Sequence, residues 1–92
     1  MSPEEALGIV ATQKQARMRH ELAQRLRRAQ RLAAPEVAAK VVQQVLDGLY
    51  APFGSHELTT MALEIGCSYI VRQARAMLLN KRVVAKAVPR QE

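Results

Sequence analysis

Leu58-Thr59-Thr60-Met61-Ala62-Leu63-Glu64-Ile65-Gly66-Cys67-Ser68-Tyr69-Ile70-Val71-Arg72-Gln73-Ala74-Arg75 is the stretch on which the fold turns. From His56 to about Asn80 the apolar residues keep a helical period. Leu58, Met61, Ala62, Ile65, Tyr69 and Leu78 are expected to be internal, while Thr60, Glu64, Ser68, Arg72 and Arg75 line a narrow polar stripe at steps of three and four. Read this way the stretch is one continuous helix. Gly66 is tolerated in its interior at about 1 kcal/mol and permits close helix approach. A helix with so little polar surface belongs at the centre of a bundle or at a subunit interface. The residues favour this continuous reading.

Working outward, Ala51-Pro52-Phe53-Gly54 reads as a turn, with Ser55 expected to cap the segment that follows and Glu57 in its first turn. A second helix is predicted over 35–50. Pro35 opens it, and Ala34 is pushed away from helical angles by the proline after it. Val37, Val41 and Val45 form one apolar row, and Ala38, Val42, Leu46 and Leu49 form its neighbour. The first helix is predicted from about Pro3 to Ala33, begun by Ser2-Pro3-Glu4-Glu5: a capping hydroxyl, a proline at the first helical position, then acids suited to the helix dipole. At the other end, Val83 to Val88 is short, Val-rich and closed by Pro89; its period fits a strand, an extended arm or a helical turn equally. The fold class expected is all-α: a small bundle of three main helices with a long basic N-terminal helix, one domain over 1–88 and a disordered tail over 89–92. A chain of 92 residues buries a modest fraction of its surface, so a homodimer is expected to complete the core.

Composition narrows the function. Hydrophobic residues make up 49% and aromatic ones 3%, so the core must be aliphatic. The single cysteine, Cys67, excludes a disulfide within the chain and points to a reducing, cytoplasmic setting. His20 and His56 stand far apart, with no Cys or second His at ligand spacing, so no metal site is expected. No apolar run reaches the roughly 18–20 residues needed to span a bilayer, and the acidic start is not a secretory signal. No nucleophile–base spacing, paired carboxylate or phosphate-cradling glycine loop is present, so neither enzyme activity nor a cofactor is expected.

Charge gives the positive indication. Between Lys14 and Arg31 the chain holds seven cations and one acid, while the remaining residues carry seven of each sign and cancel. The field is thereby assigned to one helix. At about 100° per residue, Ala11, Met18, Leu22, Leu26, Ala29 and Ala33 share the core side. Almost opposite lie Gln13, Arg17, His20, Gln24, Arg27, Arg28 and Arg31, with Lys14 at the edge. Every group on this ridge can donate a hydrogen bond and none is acidic. Arginine grips phosphate bidentately, and faces that serve only solubility usually mix signs. The bland reading is a solvated helix face.

The stretch quoted first also resembles a helix-turn-helix over about a fifth of the chain. Ala62 stands where two helices would cross, Ile65 precedes a turn glycine, Gly66 takes a positive φ, Cys67 follows as an apolar residue and Ser68 caps the second helix. The resemblance implies a second helix presenting Tyr69, Arg72, Gln73 and Arg75 to nucleic acid. One departure stands out: the apolar anchor four residues after the cap falls on Arg72, and Val71 is the nearest substitute. Together these features suggest a small basic nucleic-acid-binding protein, with a transcriptional regulator as one form. DNA is the first choice over RNA, and Lys14, Arg17, His20, Gln24, Arg27, Arg28, Arg31, Arg72, Gln73 and Arg75 are the binding residues. The alternative is a helical adaptor or inhibitor that docks its basic ridge on an acidic protein. A membrane surface fits poorly, because the face opposite the ridge is Ala-rich and lacks aromatic anchors.

Overall fold

The computed structural model describes residues 2–87, with side chains at Ser2 and over 12–81. The described residues form four helices and no strand: α1 Pro3–Leu32, α2 Pro35–Leu46, α3 Ser55–Ile65 and α4 Ser68–Ala87. The all-α class stands, but the main helices number four, because the expected continuous helix over 56–80 is broken. Gly66 adopts φ 82° and ψ 25°, and Cys67 N–H donates to the Ala62 carbonyl at 2.9 Å, folding the chain back over the end of α3. A left-handed residue followed by such a bond satisfies the last carbonyls of a helix and stops it. Apolar periodicity runs through this corner because both helices bury their faces in the same core.

All three interior helix ends close in this way. At the end of α2, Gly48 has φ 81° and Leu49 N–H donates to Gln44 O at 3.1 Å. The second helix therefore ends at Leu46, not at Tyr50 as its apolar rows suggest. At the end of α1, Ala33 has φ 48°, and Ala34 N–H donates to Ala29 O at 3.0 Å. Ala33, expected on the core side, is thus an exposed turn residue. An L-residue with a Cβ is disfavoured in this region by roughly 1–2 kcal/mol, whereas glycine is not. Two substitutions should consequently move in opposite directions. Gly66→Ala meets no atom within 4 Å of the added Cβ, so its cost is purely conformational. It should lower stability by about 1 kcal/mol, or roughly 4–8 °C in melting temperature for a domain of this size. Ala33→Gly should raise stability by about 0.5 kcal/mol once the extra freedom of the unfolded chain is deducted. Thermal melts followed by circular dichroism check both; a higher melt for Gly66→Ala contradicts the turn.

Helix starts also differ from expectation. Gly54, not Ser55, precedes α3, and the Glu57 carboxylate accepts the Gly54 N–H at 2.8 Å. The Glu57 N–H, and after it the Gly54 N–H, lower the pKa of this carboxyl from its ordinary value. Ser68 is the first residue of α4, and the carbonyl of Cys67 accepts the Val71 N–H at 3.1 Å. The cap position is therefore Cys67, one residue earlier than the motif suggested. Counting four from it, the anchor is Val71, which is buried, while Arg72 is exposed. The departure noted in the sequence is a turn one residue shorter.

The helix at the centre is α2, which packs on α1, α3 and α4, while α1 and α4 scarcely touch. Its wide Val/Ala stripe explains this: Ala38, Ala39, Val41, Val42 and Val45 are all buried. Leu22, Leu26 and Ala29 come in from α1, Leu58, Met61 and Ala62 from α3, and Ile70, Val71 and Ala74 from α4. Ile65 and Leu78 pack at the edge of this core. Tyr69 does not join it; it is 73% exposed at the start of α4. Cys67 sits in the core with no exposed surface, and burial pushes its thiol pKa up. The folded state thus holds the thiol proton more tightly than the unfolded chain does. This contribution to stability is complete below the unfolded thiol pKa and falls as pH rises toward the folded one. Cys67 should react with a thiol reagent only after denaturation; fast labelling of the native protein would contradict its burial.

Polar groups at the edge of the core are matched. Arg25, half-buried on α1, donates to the side-chain oxygen of Gln44 and, at 2.6 Å, to the Tyr50 hydroxyl, which in turn donates to Glu21 at 3.3 Å. Arg19 lies 5.5 Å from the Phe53 ring centroid. Two arginines of the basic stretch and its one acid are therefore engaged with the connection between α2 and α3. The chain continues in α4 through Ala87, so the Val-rich segment up to that point is helical rather than a strand or arm. Val88 and the tail expected over 89–92 lie outside the described residues.

Candidate nucleic-acid interface

The ridge of α1 is built by position. Leu22, Leu26 and Ala29 point into the bundle, so residues about half a turn away must face solvent. Lys14, Arg17, His20, Gln24, Arg27, Arg28 and Arg31 are all exposed. His20 Nε2 and Gln24 Nε2 lie 3.5 Å apart. Among the described residues, Lys14, Arg17, Arg27, Arg28 and Arg31 make no hydrogen bond or ion pair within the chain. With Arg25 and Glu21 engaged at Tyr50, the outward face holds these five cations and no acid. From Lys14 to Arg31 it spans about 25 Å at 1.5 Å per residue.

The break at Gly66 exposes a second basic element, of which the helix-turn-helix resemblance named Arg72 and Arg75 but not Lys81, Arg82 or Lys86. Taken as one helix, 56–80 mixes Glu57 and Glu64 with its cations. Divided at Gly66, both acids fall on α3, and α4 is left with Arg72, Arg75, Lys81, Arg82 and Lys86 and no acid. The positive field belongs to α1 and α4 together, not to one helix as the charge count implied. The signal was present in the order of charges, but it emerges only once the helix boundary is known.

The motif residues divide by environment. Among the described residues Arg72 is exposed and has no partner, and Gln73 is half-buried beside it. Tyr69 stands one turn before them on the same outward side. Arg75 is different. Its guanidinium donates to the Thr59 hydroxyl at 2.8 Å and to the Ser55 hydroxyl at 3.3 Å, bracing α4 against the first turn of α3. It is half-buried and serves the corner's geometry. The outward face of α4 therefore offers Tyr69, Arg72 and Gln73, followed by Ala76 and Asn80, which are also exposed. The structure does not merge this face with the α1 ridge; α2 and α3 stand between them.

An open groove of about 810 Å³ runs between α1 and α3, with Phe53 and Met61 in its wall. Arg19, His20 and Arg27 line it from α1 and Glu57 and Glu64 from α3, so the groove borders the basic ridge along one wall and carries acid on the other. Among the described residues no three metal-ligating side chains gather, and no helix is long and apolar enough to cross a membrane. No protein-family model, curated protein or solved structure matches this chain.

Proposed function

We propose that this protein binds nucleic acid as a homodimer, duplex DNA in preference to RNA, and acts as a small regulator of the DNA it binds. The observation that carries the reading is the pairing of two single-sign basic surfaces: five free cations on the outer face of α1, and a helix-turn-helix corner whose second helix, α4, has no acid. Arg17, Arg27, Arg28 and Arg31 contact phosphates. Arg72 and Gln73, with Tyr69, reach base edges from the start of α4, and Arg75 holds that helix in place. An α-helix enters the major groove of B-DNA, whereas the deep, narrow major groove of A-form RNA excludes it. An acidic protein surface is the competing partner.

The direct test is the nucleic acid that copurifies. The ratio of absorbance near 260 and 280 nm should be high in a low-salt preparation and fall after a high-salt wash, because phosphate contacts are weakened by salt. Two Tyr and no Trp make the protein's own absorbance weak, so slight contamination is visible. Anisotropy titrations of labelled duplex DNA and duplex RNA of the same sequence should then favour DNA. A protein that purifies free of nucleic acid and binds neither duplex at low salt does not have this function.

A further inference from the structure

α1 is longer than the body that supports it. Its 30 residues span about 45 Å at 1.5 Å per residue, against about 18 Å for the 12 residues of α2. The molecule accordingly measures 61 Å in its longest dimension, and its radius of gyration is 16.5 Å, where about 12 Å is usual for a compact chain of this length. Side chains 12–17 are exposed on every side of the helix, and contact with the core begins at Met18. A helical segment with no packed face is marginal in water, since tertiary contact supplies most of a helix's stability. The groove between α1 and α3 opens beside this overhang. Thr12, Ala16 and Ala23 line it from α1, and Met61 and Ile65 from α3.

We propose that the groove receives the overhanging N-terminal half of α1 from a second copy of the chain, and that its own overhang enters the partner's groove. The two α1 helices run antiparallel and cross near Ala16. Charge decides the direction. Glu4 and Glu5 stand in the first turn of α1, and Arg27, which lines the groove, stands toward its last turns. Antiparallel pairing sets the acidic end of each helix beside the basic end of the other; parallel pairing sets like beside like. The groove carries both signs, Arg19 and Arg27 on its α1 wall and Glu57 and Glu64 on its α3 wall, which suits a helix whose own N-terminal half carries Glu4, Glu5, Lys14 and Arg17. Such a contact is isologous, one surface meeting itself across a two-fold axis. It leaves Lys14, Arg17, Arg28 and Arg31 facing outward, with Arg27 at the edge of the contact, so the dimer carries two ridges.

The proposal rests on the dimeric part of the reading above and not on nucleic acid, so its test is run without any. Ala16 is exposed and Cys67 is buried, so Ala16→Cys adds one accessible thiol to a folded chain. Mild oxidation at micromolar concentration should convert this variant to a disulfide-linked dimer. The parent, and Lys14→Cys on the far side of the helix, should stay uncrosslinked. Ala16→Arg should weaken self-association at least tenfold in sedimentation equilibrium, with helicity unchanged. The proposal is overturned if the parent sediments as a monomer at all concentrations, if Ala16→Cys and Lys14→Cys crosslink equally, or if Ala16→Arg associates as the parent does. The copurification test remains readable whichever way this one falls.

Discussion

Replacing Arg17, Arg27, Arg28 and Arg31 together with Gln should reduce duplex-DNA affinity on the order of 10³-fold near 0.1 M salt while leaving the fold intact. All four side chains are exposed and make no hydrogen bond or ion pair among the described residues, so no internal bond is lost. Gln and Arg have similar helix propensity, so helicity should be nearly unchanged. The size of the loss follows from counterion release. Each phosphate neutralised contributes about −0.9 to the slope of log K against log salt, so four lost contacts flatten that slope by up to about 3.6. The slope is the sharper readout, because a variant weakened by a folding defect would lose affinity without this flattening. Anisotropy titrations over a salt series measure both quantities. If parent and variant share one affinity and one slope, the ridge of α1 is a solvated surface.

Val71→Asp should destabilise the protein by more than about 3 kcal/mol, since it places a carboxylate at a fully packed position with no partner. Val71 is 4% exposed and shares the core with Ile70, Ala74 and Cys67. For a domain this small such a loss approaches the whole folding margin, and the cooperative thermal transition should disappear or fall below room temperature. Its neighbour behaves oppositely. Arg72 is exposed, so Arg72→Leu should change stability by no more than about 0.5 kcal/mol. The pair reads the register of α4 directly. If the anchor lay four residues after Ser68, Arg72→Leu would stabilise and position 71 would tolerate charge. Arg72→Leu should nonetheless weaken DNA binding, because it removes an exposed cation from the outward face of α4.

Much of this architecture was legible in local chemistry. Pro35 marks the start of α2, and the spacing of Leu22, Leu26 and Ala29 separates the buried side of α1 from its ridge. These inferences hold because proline acts through its own ring and because a regular helix fixes which residues share a face. The exposed ridge residues follow from the same geometry. The helix count did not follow, because periodicity reports burial and not continuity. At Gly66 two helices meet the same core, so the apolar spacing carries across the break.

The order of residues by itself determined the all-helical class, the basic outer face of α1 and the identity of Gly66 as the position where a turn was admissible. Tertiary structure decided whether that turn was taken. Packing against the Val/Ala stripe of α2 pulls Ile70, Val71 and Ala74 inward from a new helix axis and leaves Tyr69 in solvent. It also divided the arginines by role. Arg25 is held by Tyr50 and Gln44, and Arg75 by Ser55 and Thr59. Their partners lie 16 or more residues away in the chain. A pairing at that distance leaves no local pattern, because it exists only when separate helices are brought side by side.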